Sequence, residues 1–251
     1  MEIRRIWGLS LVLAKANFKL RNEGSYLGIL WYLLNPLLMF LLLWAIFSNL
    51  VGAGIKDYPL YLLLGIVMFN FFQAVTLEST KAIRSNKGII KSIDFPHEAI
   101  LGSVVITTLI SHVFEVFMLL ILLVIYGVPL WGLLLYPVVL LMFSIFSLGV
   151  ALTLASVAVY FMDIDNIWSF GSKLLWLATP IFYSVEGTGW LYYVSLVNPI
   201  YYFITISRDI VIYGQMPEPL LMLGAMAFAL VSMLLGLLLF GRLKNRFAEM
   251  I

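Results

Sequence analysis

Long apolar stretches, separated by short polar breaks, run from residue 27 to residue 240. A helix rising about 1.5 Å per residue needs roughly 20 apolar residues to cross a hydrocarbon core of about 30 Å. Six stretches meet or approach that length: 27–51, 58–77, 98–126, 131–160, 166–184 and 219–240. The third and fourth exceed it, so they tilt, kink or project beyond the bilayer. Pro36, Pro59, Pro129, Pro137 and Pro180 fall at or near the predicted span ends, where a missing amide donor costs least. Residues 1–22 are different. Ile6, Trp7, Leu9, Val12, Leu13, Ala16 and Leu20 recur at roughly helical spacing among Arg4, Arg5, Lys15, Lys19 and Arg21, which predicts an amphipathic helix lying in the interface; a merely basic tail is the plainer alternative. The stretch lacks the small-residue cleavage site of a secretory leader, so no removable segment is expected. Between Trp190 and Tyr213 the chain is too interrupted, by Asn198 and Pro199, for a comfortable span and too apolar for an aqueous loop. It predicts a re-entrant helical hairpin before the last span, with a full crossing as the alternative.

With 63% of residues hydrophobic and 11% charged, a soluble globule is excluded, since such domains carry about a quarter charged residues. The fold class is all-α, a polytopic membrane protein of six transmembrane helices. Positive charge sets its orientation. Five Lys and Arg precede the first span, Lys81, Arg84, Lys87 and Lys91 follow the second, and Arg242, Lys244 and Arg246 follow the last. These three groups belong on the cytoplasmic side, with both termini inside. The 161–166 loop, holding Asp163 and Asp165, departs from the pattern, but acidic residues weigh little in it.

Candidate chemistry is sparse. Without cysteine there is no disulfide, thiol nucleophile or thiolate metal site, and a net charge of +2 does not suggest a nucleic-acid partner. No GxxxxGK[ST] phosphate loop and no HExxH is present, so neither a nucleotide engine nor a metal site is expected in this chain. His112 and Glu115 share one face of the third span, as an intramembrane functional pair or as a buried pair satisfied by neighbouring helices. Asp163 and Asp165, two apart, point away from each other and read as a solvated helix cap rather than paired catalytic carboxylates. Trp190, Tyr192, Tyr193, Tyr201 and Tyr202 crowd the predicted hairpin, either as interfacial anchors or as rings facing a passage. Trp31, Tyr32, Tyr58, Tyr61, Trp131, Tyr160 and Trp168 fit an interfacial belt. Ser147, Ala151 and Ala155, every fourth residue, predict close helix packing.

The order of these features resembles the membrane subunit of type-2 ABC transporters, in particular permeases exporting lipid-linked polysaccharides such as O-antigen (of lipopolysaccharide), capsule or wall teichoic acid. The likeness spans essentially the whole chain. Leu27, Gly28, Leu30 and Trp31 are similar to the family's Leu-Gly-x-Leu-Trp element. Phe161, Asp163 and Ile164, then Thr179, Pro180 and Ile181, resemble its Phe-x-Asp-Ile and Thr-Pro-Ile segments. Asn198 and Pro199 with the trailing Arg208 resemble its Asn-Pro stretch.

The resemblance implies one transmembrane domain over 1–251: an interfacial helix (1–26), spans one to five (27–184) with a coupling loop (78–97), an outer gate segment (185–218), and span six with a basic tail (219–251). It implies a homodimer with a passage at the subunit interface, in the cytoplasmic (inner) cell membrane. Two separate ABC ATPase subunits would dock on the cytoplasmic face and carry the ATP and Mg. The cargo would be a polyprenyl-linked glycan; a drug or other lipid is the alternative cargo, and a membrane enzyme acting on lipid-linked substrates a more distant one. Arg84, Lys87, Ile90, Lys91 and Phe95 would couple to the ATPase. Trp190, Tyr192, Tyr193, Tyr201, Tyr202 and Arg208 would line or gate the exit.

Overall fold

The computed structural model describes residues 2–23, 26–92, 95–185 and 189–250, and every regular element among them is helical. Helix α1 (Glu2–Asn22) leads through a single 3-10 turn (Gly28–Leu30) into α2 (Trp31–Phe47). Then come α3 (Tyr58–Ser85), the short α4 (Lys87–Ser92), α5 (His97–Ile125), α6 (Trp131–Tyr160) and α7 (Ile164–Ala178). The pair α8 (Trp190–Val197) and α9 (Pro199–Val211) precedes α10 (Pro219–Leu243) and a terminal turn, α11 (Phe247–Met250).

Five helices are long and apolar enough to cross a membrane: α2 with its 3-10 lead, α3, α5, α6 and α10. The predicted fifth span is shorter than its sequence suggests. Helix α7 has 15 residues, about 22 Å, because Pro180 forces Thr179 before it into an extended conformation (φ −92°, ψ 132°). The predicted 78–97 loop is mostly helical, divided between the end of α3 and all of α4; Ile93 and Asp94, like Glu186 of the gate segment, lie outside the described residues. Pro36 and Pro137 stand inside α2 and α6, not at their ends. Each falls within the first two turns, where the hydrogen-bond ladder has barely begun.

Helix α3 is the axis of the bundle. It is buried over nearly all of its apolar length, against α5, α6, α2, α7 and α9, while α2 and α10 turn most of theirs outward. Phe71, Phe72, Phe143, Phe146 and Phe203 interleave at the centre. A second cluster gathers Ile83, Ile90, Phe95, Phe240 and Phe247. There the wholly buried Phe247 meets the rings of His97, Tyr160 and Phe240, and Lys244 binds Glu98. Helix α1 crosses the first turns of α5 with Ser10 and Ala14 buried; Gly102 makes room, since a Cβ there would lie 2.6 Å from the Ser10 Oγ. Trp7, Leu11, Val12 and Leu20 stay exposed. The three basic segments thus meet at one end of the bundle.

Helices α6 and α10 approach to backbone contact. A Cβ on Gly236 would stand 2.4 Å from the Gly149 carbonyl oxygen, and Ser232 Oγ donates to the Phe146 carbonyl at 3.2 Å. Ser147, Ala151 and Ala155 are wholly buried, as their spacing predicts. Gly236→Ala is therefore expected to destabilise the protein by about 1–3 kcal/mol, read as a lower melting temperature in detergent. Gly241→Ala, whose methyl would meet nothing within 4 Å, should raise it through helix propensity. Equal melting temperatures for the two variants would refute the close approach.

Candidate functional site

The chain leaving α7 is clasped between α3 and α9. Tyr61 donates its hydroxyl to the Tyr183 carbonyl at 2.8 Å, and Tyr58 donates to the Phe182 carbonyl at 3.0 Å. From α9, Arg208 reaches the same segment: Nη1 donates to the Pro180 carbonyl (2.9 Å), Nη2 to those of Ile181 (3.0 Å) and Tyr61 (3.1 Å), and Nε to Tyr61 again (3.3 Å). The guanidinium is 3% exposed and lies 3.2 Å from the centroid of the Tyr61 ring. Among the described residues it forms no ion pair. Its charge is met by carbonyl dipoles and one aromatic face, which a planar, delocalised cation tolerates better than a compact one. Gly65 supplies the space, for a Cβ there would lie 2.8 Å from Nη2.

Asn198 ties the other side of the clasp. Its Oδ1 accepts from the Ile200 amide (3.0 Å), capping α9, while Nδ2 donates to Thr179 Oγ1 (2.7 Å), which donates in turn to the Leu175 carbonyl. Pro199 opens α9, where its missing amide hydrogen is no loss. Five residues singled out in the sequence, Thr179, Pro180, Asn198, Pro199 and Arg208, are thus one assembly. Tyr58, Tyr61 and Gly65 were not assigned to it; the belt reading of the two tyrosines is corrected by their burial, 5% and 7% exposed. Their one sequence signal is spacing, since 58, 61 and 65 share a helical face.

The hairpin aromatics divide. Trp190 and Tyr193 are exposed. Tyr192, Tyr201 and Tyr202 line a recess of ≈ 480 Å³ between α8, α9 and the start of α10, with Asp209 and Glu218. Tyr202 also packs against Gly224 and donates to the Leu196 carbonyl.

At the basic end, Ile90 and Phe95 are buried anchors, while Lys87 and Lys91 face outward. Arg84 binds Asp165, joining the end of α3 to the start of α7. The solvated-cap reading of the two aspartates therefore fails at Asp165, and Asp163, at the N-cap of α7, makes no side-chain cap bond. Midway between the two ends, Gln73 of α3 donates to Ser172 of α7 (3.3 Å). Gly28, at φ 44°, makes the left-handed corner of the elbow into α2, and Trp31 stands beside it, 43% exposed.

His112 and Glu115 do meet. Nδ1 lies 3.0 Å from Glu115 Oε2, and Nε2 lies 2.7 Å from the hydroxyl of Tyr136, a partner the sequence did not indicate. Both ring nitrogens are satisfied and the histidine is buried, which supports the reading of a paired, internal group.

Comparison with known proteins fits this architecture. Residues 9–212 match the model of the ABC-2 type transporter family. The chain is 29% identical to the O-antigen export system permease protein RfbA of Myxococcus xanthus, covering 92% of this chain and 91% of that one. It is 26% identical to the RfbA permease of Klebsiella pneumoniae, over 98% and 96% respectively. It is also 26% identical to the polysialic acid transport protein KpsM of Escherichia coli, over 85% of each. With four-fifths of its length inside the family model, this chain belongs to the ABC-2 type transporter family.

Proposed function

We propose that the chain is the membrane-spanning subunit of an ATP-driven exporter that moves a lipid-linked polysaccharide across the cytoplasmic membrane. The observation that carries this reading is likeness along almost the whole chain to permeases named for O-antigen export and polysialic acid transport. Two copies form the passage between them, and two separate ABC ATPases, holding ATP and Mg, dock at the basic end. In this reading both termini are cytoplasmic and α7, with the segment after it, completes a sixth crossing. Helix α1 lies in the interface on its exposed Trp7, Leu11 and Val12, and α8 and α9 form a re-entrant hairpin at the outer face. The whole of 1–251 is one domain.

Lys87 and Lys91 then receive the ATPase, with Ile90 and Phe95 holding α4 in place and Arg84 passing its movement to α7. The clasp around Arg208 fixes the outer hairpin, and Trp190 and Tyr193 face the leaving glycan. The work demanded of this chain is a wide path with weak, multiple contacts, loose enough to release what enters.

The reading is tested by co-purifying the chain with the ATPase encoded beside it. ATP hydrolysis is then measured in lipid nanodiscs with and without extracted lipid-linked glycans. Stimulation by glycan is expected. A stable complex indifferent to glycan would redirect the cargo to a drug or another lipid, and failure to form a complex would overturn the reading altogether.

A further inference from the structure

A recess opens between α1, α2, α3 and α5, apart from the clasp. It consists of two hollows of ≈ 340 and ≈ 380 Å³ that share Arg21, Glu78 and Thr108 as walls, within the size range of sites for small ligands. Part of its polar lining lacks hydrogen-bond partners among the described residues. The Tyr32 hydroxyl is shielded from solvent and, among the described residues, has no hydrogen-bond partner. Asn35, Asn70 and Glu78 make no hydrogen bond or ion pair among the described residues, and Arg21 meets only the face of the Tyr32 ring, at 5.4 Å. Asn70, half-buried, lies near the middle of α3, where lipid supplies no hydrogen-bond partner. Other polar side chains of the same lining are paired, His112 with Glu115 and Tyr136, and Gln73 with Ser172. Within the recess it is Tyr32, Asn35, Asn70 and Glu78 that are left without a bond among the described residues.

The unmet groups restrict what would meet them. Arg21 needs acceptors, Glu78 needs donors, and the two asparagines and Tyr32 need both. A phosphate would find Arg21 and Lys81 but also meet Glu78 and Glu115; an ammonium group would do the reverse. Hydroxyl groups donate and accept at once. Trp31, also in the lining and 43% exposed, offers a flat apolar face of the kind that stacks on sugar rings. Leu20 and Trp31 line the recess yet remain 64% and 43% exposed, so its edge is apolar and suits a molecule whose tail stays in the bilayer.

We propose that this recess, within a single subunit, binds the hydroxyl-rich headgroup of a lipid, a sugar or polyol, whose hydrocarbon tail remains in the membrane. The inference rests on the export reading only in naming a lipid-linked glycan as one source of that headgroup; a bilayer glycolipid is the other.

The absence of native cysteine makes the test direct. Ala74→Cys places a single thiol in the lining, and its rate of reaction with a small water-soluble methanethiosulfonate is followed on the full chain in phosphatidylcholine nanodiscs. Four probes are compared: a polyprenyl pyrophosphate bearing a disaccharide, glucosyl diacylglycerol, sugar-free polyprenyl phosphate and diacylglycerol. The sugar-bearing lipids are expected to slow labelling about tenfold when present at roughly ten times their dissociation constant, and the sugar-free ones to leave it unchanged. Adding Asn70→Leu should abolish protection; Glu78→Ala, a change at an exposed position that removes the acceptor, carries the same expectation should the first variant fold poorly. Protection by both glycolipids supports a general headgroup site, and protection by the polyprenyl-linked sugar alone supports one for cargo. Equal protection by polyprenyl phosphate, no protection by any probe, or a thiol unreactive without lipid would each overturn the proposal. Protection that persists where glycan fails to stimulate ATP hydrolysis would leave this site standing and remove the export reading.

Discussion

Arg208→Lys is expected to harm the protein more than Arg208→Met, although lysine is the closer relative of arginine. The arginine fork sends four hydrogen bonds to three carbonyls that lie in different directions, those of Tyr61, Pro180 and Ile181. A lysine ammonium concentrates its donors on one atom and is more strongly hydrated, so it reaches fewer acceptors and is costlier to bury. With at least two carbonyls losing their donor, at about 1–3 kcal/mol each, the melting temperature in detergent should fall by on the order of 10 °C. Methionine abandons the same carbonyls but also removes the buried charge, which offsets part of the loss, and the fall should be smaller. Export should fail in both, because both free the exit of α7. A lysine variant that melts with the parent protein would sink this account of the clasp.

Reversing charge on α4 should have the opposite character, leaving the fold intact and removing coupling. Lys87 and Lys91 are exposed while Ile90 beneath them is buried, so Lys87→Glu combined with Lys91→Glu alters only the outer face of α4, the face proposed to receive an ATPase. ATP hydrolysis by the assembled complex is expected to drop to the rate of the isolated ATPase, with no change in melting temperature. Arg84→Gln should give a partial loss, since Arg84 is already engaged with Asp165 and acts through α7. Unchanged stimulation in the double variant would refute the docking role of α4.

What was legible in the sequence follows from which forces leave a trace there. Lipid demands apolar length, so the positions of α2, α3, α5, α6 and α10 could be read directly, and the Asn198–Pro199 corner announced itself by residue type. The short α7 was legible only in part: Pro180 marked an ending, but the apolar residues beyond it, Ile181 to Tyr183, lengthened the apparent span. The acceptors of Arg208 left no trace, because they are backbone carbonyls and any residue supplies one. Tyr136 was hidden for a different reason. It lies 24 residues from His112, and only the packing of α6 on α3 and α5 brings the hydroxyl within reach. Tyr58 and Tyr61 fit a membrane belt equally well until the segment they bind is folded over them.

Helix α7 is joined to α3 at its start through Arg84 and Asp165, at its middle through Gln73 and Ser172, and beyond its end through Tyr58 and Tyr61. Links at both ends and between tie the two helices together, so neither can separate from the other without breaking at least one of them. If the proposed ATPase docks at the charged foot, a push received there would reach the far end through α3 and α7 moving together.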